Sequence, residues 1–285
     1  MFRRIILSVL ALAVLLGSVP FLSHSHVVRA DDKKKMADDK SKKEAVLTAD
    51  QIAESVIFIY SNRLGRAVLE QVRRNGVERG RVTRLGADGR TEEATYERRF
   101  VRGESSAKDK IRLDQKLPSA EYSLVYGSGR TFGIVNGSQF EPRRTATTDF
   151  LSQQWHGIDA LLRYKENGSA LKLIGKDIQQ GVDFYVLEVT DKEKRSTRYY
   201  ISTKTLRVMR LDYEESAAEG SATSLVKYMR KFYDYRAAQN TLVPYRSVLY
   251  EDGKQTQESH VLSVLYGIKM DDSYFQGPDA QANAS

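Results

Sequence analysis

From Val77 onward the chain alternates apolar and polar positions in short runs broken by Gly, Asn and Asp, the pattern of strands joined by tight turns. The spacing predicts strands over Val77–Leu85, Glu92–Arg102, Lys110–Leu113, Glu121–Tyr126 and Thr131–Val135. A second series follows over Leu171–Asp177, Asp183–Val189, Arg195–Ser202, Leu206–Tyr213, Leu225–Arg236, Leu242–Tyr250 and Gln257–Ile268. Gaps within each series are too short for a crossover helix, so neighbours pair antiparallel. Helical spacing appears in two places. Ile52, Val56, Ile59 and Leu64 make one stripe over Asp50–Asn62, capped by Thr48 or Asp50, with further turns over Arg66–Arg74. Phe150, Trp155, Ile158, Leu161 and Leu162 give an apolar face to a long helix over Asp149–Tyr164, capped by Thr147 or Thr148 and stopped at Glu166-Asn167-Gly168.

Several strands are apolar on both sides. Val182, Phe184 and Val186 alternate with Tyr185, Leu187 and Val189, and Leu225, Met229, Tyr233 and Tyr235 lie opposite Val226, Tyr228 and Phe232. A sheet with one wet face alternates cleanly instead, and a large twisted sheet curls or splits. The fold class is therefore mainly β (α+β): a strongly curved antiparallel sheet or unclosed barrel of about ten or more strands, with two helices over its mouth. Its interior is either a filled core or a cavity for an acyl or lipid-like ligand.

The first thirty of the 285 residues differ from the rest. Arg3-Arg4, an apolar run over Ile5–Leu16 and Val28-Arg29-Ala30 before Asp31 follow the plan of a secretory signal peptide, cleaved after Ala30. The run is too short to span a bilayer; the alternative is an uncleaved anchor in the inner membrane. Residues 31–47 read as a charged flexible linker and 48–285 as one domain, its tail frayed from about 277. Losing Arg3, Arg4 and Arg29 lowers the net charge from +8 to +5, which with export argues against nucleic acid.

Candidate chemistry is sparse. With no Cys, thiol nucleophiles, Cys-held metals and a lipidated N-terminal Cys are excluded. His156 and His260 are the histidines left after the signal peptide, a weak basis for a metal site. Gly127-Ser128-Gly129 lies between two strands and reads as a turn, neither a dinucleotide loop nor a nucleophile elbow. No catalytic set, cofactor or metal is expected, and the protein reads as a non-enzyme.

Gly181-Val182-Asp183-Phe184-Tyr185-Val186-Leu187, Tyr199-Tyr200-Ile201-Ser202 and Leu206-Arg207-Val208 are followed in order by Phe232-Tyr233-Asp234-Tyr235-Arg236, Leu242-Val243-Pro244-Tyr245, Asp252-Gly253-Lys254 and Asp271-Asp272-Ser273-Tyr274-Phe275 with Pro278. This ordered series resembles the outer-membrane lipoprotein-sorting (LolA-like) superfamily over Gly181–Pro278, and more loosely from Asp50. The resemblance implies an unclosed antiparallel barrel with helices over its mouth and an apolar cavity. It also implies a periplasmic protein that carries lipoprotein acyl chains, lipid or another apolar ligand; the alternative is an envelope-sensing regulatory module that touches a protein partner. Trp155, Phe184, Val186, Met229 and Tyr233 are the candidates for the ligand lining, with core packing as the competing role of each.

Overall fold

The structure, a computed structural model, describes residues 47–278 apart from residue 87 and residues 217–224. The expected signal peptide, all of the expected linker except Leu47, and the tail beyond Pro278 lie outside the described residues.

Helix α1 (Ala49–Tyr60) opens on a capping box. The Thr48 hydroxyl accepts from the Gln51 amide at 3.2 Å, and the Gln51 side chain accepts from the Thr48 amide at 2.8 Å. Its Ile52, Val56, Ile57 and Tyr60 are buried. Helix α2 (Arg66–Val72) follows after a turn through left-handed Asn62 and Arg63.

The helix expected over Asp149–Tyr164 is two: α3 (Arg144–Trp155) and α4 (Ile158–Leu162). Arg143 stands at the first N-terminus, with no side-chain cap from Thr147 or Thr148. Gly157 makes the break, because a Cβ there would run into the Gln153 carbonyl oxygen.

Six strands form the first meander: β1 (Asn75–Leu85), β2 (Thr91–Val101), β3 (Lys110–Lys116), β4 (Glu121–Gly127), β5 (Arg130–Val135) and β6 (Ser138–Phe140). The second holds β7 (Ala170–Gln179), β8 (Val182–Thr190), β9 (Ser196–Ser202), β10 (Val208–Ser216), β11 (Leu225–Ala238), β12 (Thr241–Glu251) and β13 (Lys254–Tyr266). All thirteen make one antiparallel sheet in the order β6-β5-β4-β3-β2-β1-β13-β12-β11-β10-β9-β8-β7. The meanders meet at β1 and β13, while β6 and β7 remain as edges, so the barrel is unclosed. β6 was not expected; three residues are too few to show an alternation.

Two cores hold the helices on the inner face. α1 and α4 pack on Leu187, Val189, Tyr199, Ile201, Leu211 and Phe232. Phe150 and Leu151 of α3 pack on Phe100, Ile111, Leu124 and Val264. Tyr60 donates to the Tyr235 hydroxyl at 2.9 Å, and Tyr235 donates to the Val208 carbonyl, tying α1 to β10 and β11. Among the described residues no helix is long and apolar enough to cross a membrane.

Candidate functional site

The two cores leave a hollow between them. A cavity of about 1490 Å³ lies against the inner faces of β1–β4 and β10–β13, with α3 and α4 along its side. Small-molecule sites commonly run to roughly 300–1,000 Å³, so this is ample. Its origin is a row of small side chains in register across the sheet. Ser247 of β12 pairs with Ser259 of β13, Ser259 with Val82 of β1, and Val82 with Ala94 of β2. The neighbouring row passes through Gly80, where a Cβ would sit 2.6 Å from the Tyr96 ring and 2.5 Å from the His260 carbonyl oxygen. Over Ser247, Ser259 and Val82 the curved sheet stays empty, while the room left by Gly80 is taken by the Tyr96 ring. Solvent-exposed turn residues Asp88 to Arg90, with Asp252 and Lys254, frame the mouth.

Apolar and charged groups share the walls. Tyr96, Leu113, Tyr228, Phe232, Leu249 and Val261 supply apolar surface. Asp159 of α4 is clamped by Arg73 at 2.9 Å and by Arg102 at 2.5 Å. Burial disfavours its charge, but the Arg102 and Arg73 guanidinium groups override that and hold its carboxyl well below the carboxylate range. Arg163, at the end of α4, binds Asp109 at 2.7 Å, Glu166 at 2.8 Å and the Gly103 carbonyl at 3.0 Å. Burial nevertheless pushes the Asp109 carboxyl up. These pairs fasten α4 to β2, α2 and the β2–β3 loop, forming the cavity's inner end.

Asp149 stands at the mouth on α3. Burial, then repulsion from Glu251 and Glu215, raises its pKa to about 6, with Arg84 opposing. Its folded-state pKa thus exceeds the unfolded value near 3.8. The stability tied to its neutral form is fully present below about pH 4 and is lost as the pH rises through about 6. D149N is therefore expected to raise the melting temperature at pH 7 and to leave it nearly unchanged at about pH 4. Equal shifts in thermal unfolding at both pH values would contradict this origin.

The five side chains singled out from the sequence lie outside the cavity lining. Phe184 and Val186 are buried, but on the outer face: Val186 pairs with Tyr200, whose ring meets Phe184 edge-on and carries the Arg210 guanidinium at 4.2 Å. Met229 pairs with Asp212 on that outer face, and Tyr233 lies under Arg246 at 4.8 Å. Trp155 ends α3, partly buried against the second core, with Arg195 over its ring at 4.0 Å. The inward positions are the alternate ones: Tyr185, Leu187 and Val189 on β8, Tyr228, Arg230 and Phe232 on β11. Sequence reasoning missed these because it had no means of choosing between two apolar faces. The small residues opposite one another were the available signal.

His156 is 2% exposed and stacks on Tyr213 with centroids 4.0 Å apart; its Nδ1 lies 2.7 Å from the Thr197 hydroxyl and its Nε2 3.3 Å from Glu215. His260 sits half-exposed on the outer face beside Glu258, so the two histidines are not brought together. Among the described residues no cluster of His, Asp and Glu is arranged to hold a metal ion.

No family model matches the chain, and no curated protein matches it. Solved structures do. A LolA superfamily protein from Nitrosomonas europaea aligns with 81% of this chain and 98% of its own, at 11% identity and a TM-score of 0.55. A DUF1329 family protein from Desulfovibrio piger aligns with 81% and 98%, at 11% identity and a TM-score of 0.56. This is a LolA-like fold. A putative outer membrane lipoprotein-sorting protein domain from Vibrio parahaemolyticus aligns with 79% of this chain and 97% of its own, at 11% identity and a TM-score of 0.47. The resemblance first seen in the ordered C-terminal segments thus extends, as a fold, over most of the chain. This LolA-like sheet surrounds a hollow whose apolar walls are set with arginines and carboxylates.

Proposed function

We propose that the protein is a periplasmic binding or carrier protein that holds an acyl chain or another apolar ligand in the hollow of its sheet. The observation that carries this reading is the cavity of about 1490 Å³, left open by the register row Ser247–Ser259–Val82–Ala94 inside a LolA-like fold. Burial supplies the affinity. About ten enclosed methylenes at about 0.8 kcal/mol each give about 8 kcal/mol gross, set against at least about 4 kcal/mol lost on association. Retention thus depends on most of the chain going in. The apolar contacts fall to Tyr96, Tyr228, Phe232, Leu249 and Val261.

The same reading takes residues 1–30 as an export signal cleaved after Ala30, 31–47 as a charged flexible linker and 48–285 as the binding domain. It is binding and not catalysis that we assign. Asp109, Asp159, Arg73, Arg102 and Arg163 are engaged in ion pairs that position α4. Native mass spectrometry of protein recovered from its own cell envelope tests the reading. A bound lipid or acyl species is expected. A bare protein mass, together with retention of an envelope protein domain, would instead favour the regulatory module.

A further inference from the structure

The sequence holds three Asn-Gly pairs, Asn75-Gly76, Asn136-Gly137 and Asn167-Gly168, and the last two share the tripeptide Asn-Gly-Ser. In such a pair the glycine nitrogen, with no side chain of its own to shield it, can close on the asparagine side-chain carbonyl. The fold sets the three apart. Asn75 begins β1, which is paired on both sides: it stands opposite Val101 and its carbonyl accepts from the Gly267 amide at 3.2 Å. Gly76 is pressed between the Tyr266 and Phe100 rings. Asn167 follows α4, its Oδ1 accepting from the Ser106 amide at 3.0 Å while the Gly168 amide donates to the Lys165 carbonyl at 3.0 Å. Both reacting groups are held there.

At Asn136 and Gly137 neither is. They form the two-residue turn between β5 and β6, with φ of 50° and 74°, the left-handed pair that such hairpins favour. Both are exposed, and a Cβ on Gly137 would meet nothing within 4 Å. Among the described residues the Asn136 side chain and the Gly137 amide make no hydrogen bond. The flank is weak as well. β6 has three residues and pairs only with β5 at the edge of the sheet, so the turn opens without disturbing either core.

We propose that Asn136 is a site of spontaneous covalent modification at the sheet edge. The Gly137 nitrogen bonds to the Asn136 side-chain carbonyl carbon, the side-chain carbon–nitrogen bond breaks, and ammonia leaves carrying the proton from the Gly137 amide. Water then opens the five-membered imide at either carbonyl, giving aspartate or isoaspartate, with nothing oxidised or reduced. Both products add a negative charge. Isoaspartate also adds one carbon to the main chain inside the turn. That displaces Ser138 from Val135, and a three-residue strand has no further pairing with which to restore its register. The Phe140 ring, which lies over Gly133, loses its seat.

Purified full-length protein held at about pH 8 and about 37 °C, digested at intervals and read by mass spectrometry, tests the site. Asn136 is expected to convert at least about tenfold faster than Asn75 and Asn167, a gap that about 1.4 kcal/mol of difference in local opening produces. In concentrated urea the shared tripeptide no longer has two environments, and Asn136 and Asn167 are expected to react within about threefold of each other. Hydrogen exchange over Ser138–Phe140 is expected to quicken in the aged protein but not in Asn136→Gln protein aged beside it. Equal rates at Asn136 and Asn167 in the folded protein, or a gap that persists in urea, overturns the choice of site by the fold. Unchanged exchange over β6 in fully converted protein overturns the loss of register.

Discussion

Replacing Ser247 and Ser259 together with tryptophan is expected to weaken acyl-chain binding at least tenfold while the protein stays folded. The two serines face each other across β12 and β13 and carry the smallest side chains on that stretch of cavity wall. Indole rings there project into void rather than into packed neighbours, which avoids most of the roughly 1–3 kcal/mol that overpacking costs in a filled core. A tenfold loss is about 1.4 kcal/mol, equivalent to denying the ligand about two methylenes of burial. Two indoles exclude considerably more than that. Titration with a fluorescent fatty acid analogue, beside a circular-dichroism melt, gives both readings. Undiminished binding in a folded S247W/S259W protein would place the ligand elsewhere.

Arg163→Met is expected to lose about 3–5 kcal/mol of folding stability, as removing one partner of a buried ion pair commonly does. The side chains of Arg163 and Asp109 are 5% and 7% exposed, so water screens the pair poorly. Without Arg163 the Asp109 carboxylate keeps, among the described residues, the Gly103 amide and the Gln154 side chain as donors, at 2.8 and 3.1 Å. Urea unfolding measures the deficit, and pH gives it a signature. The folded-state pKa of Asp109 already lies above its unfolded value, and losing the guanidinium raises it further. A raised carboxyl contributes stability that is present below the unfolded pKa and lost as the pH rises through the folded one. The deficit of R163M should therefore be smallest near pH 4 and grow toward neutrality. A pH-independent loss would point to the missing packing of the arginine stem instead. R163M/D109L, which leaves no orphaned charge, should recover part of the stability.

The strands were legible because their turns are strongly marked: Gly127-Ser128-Gly129 and Asp252-Gly253 both reverse the chain through left-handed residues. The α1 cap was legible for the same local reason, since Thr48 and Gln51 carry the whole capping box. What periodicity could not show was which parity faces inward. The outer face looked like a second core because it is rich in Phe184, Val186, Tyr200, Tyr233 and Tyr250. In the structure, long cationic side chains cover those outer rings: Arg210 over Tyr200, Arg246 over Tyr233 and Lys231 over Tyr250 at 5.4 Å. Stems of Arg and Lys roof apolar surface while their charges stay in water. Two-sided apolarity here therefore reflects one hollow interior and one surface thatched by its own arginines. Gly157 hid the break between α3 and α4 because it falls within an otherwise continuous apolar stripe.

The seam between β1 and β13 joins residues roughly 180 positions apart, and such distant pairings form late and slowly. Each meander can zip up from its own hairpins, but neither encloses anything alone. Until Lys254–Tyr266 has arrived and docked on β1, there is no vessel, only two separate curtains. Enclosure therefore waits on a single late pairing, and a substitution that weakens the β1–β13 seam would unmake the cavity while leaving the hairpins of both meanders intact.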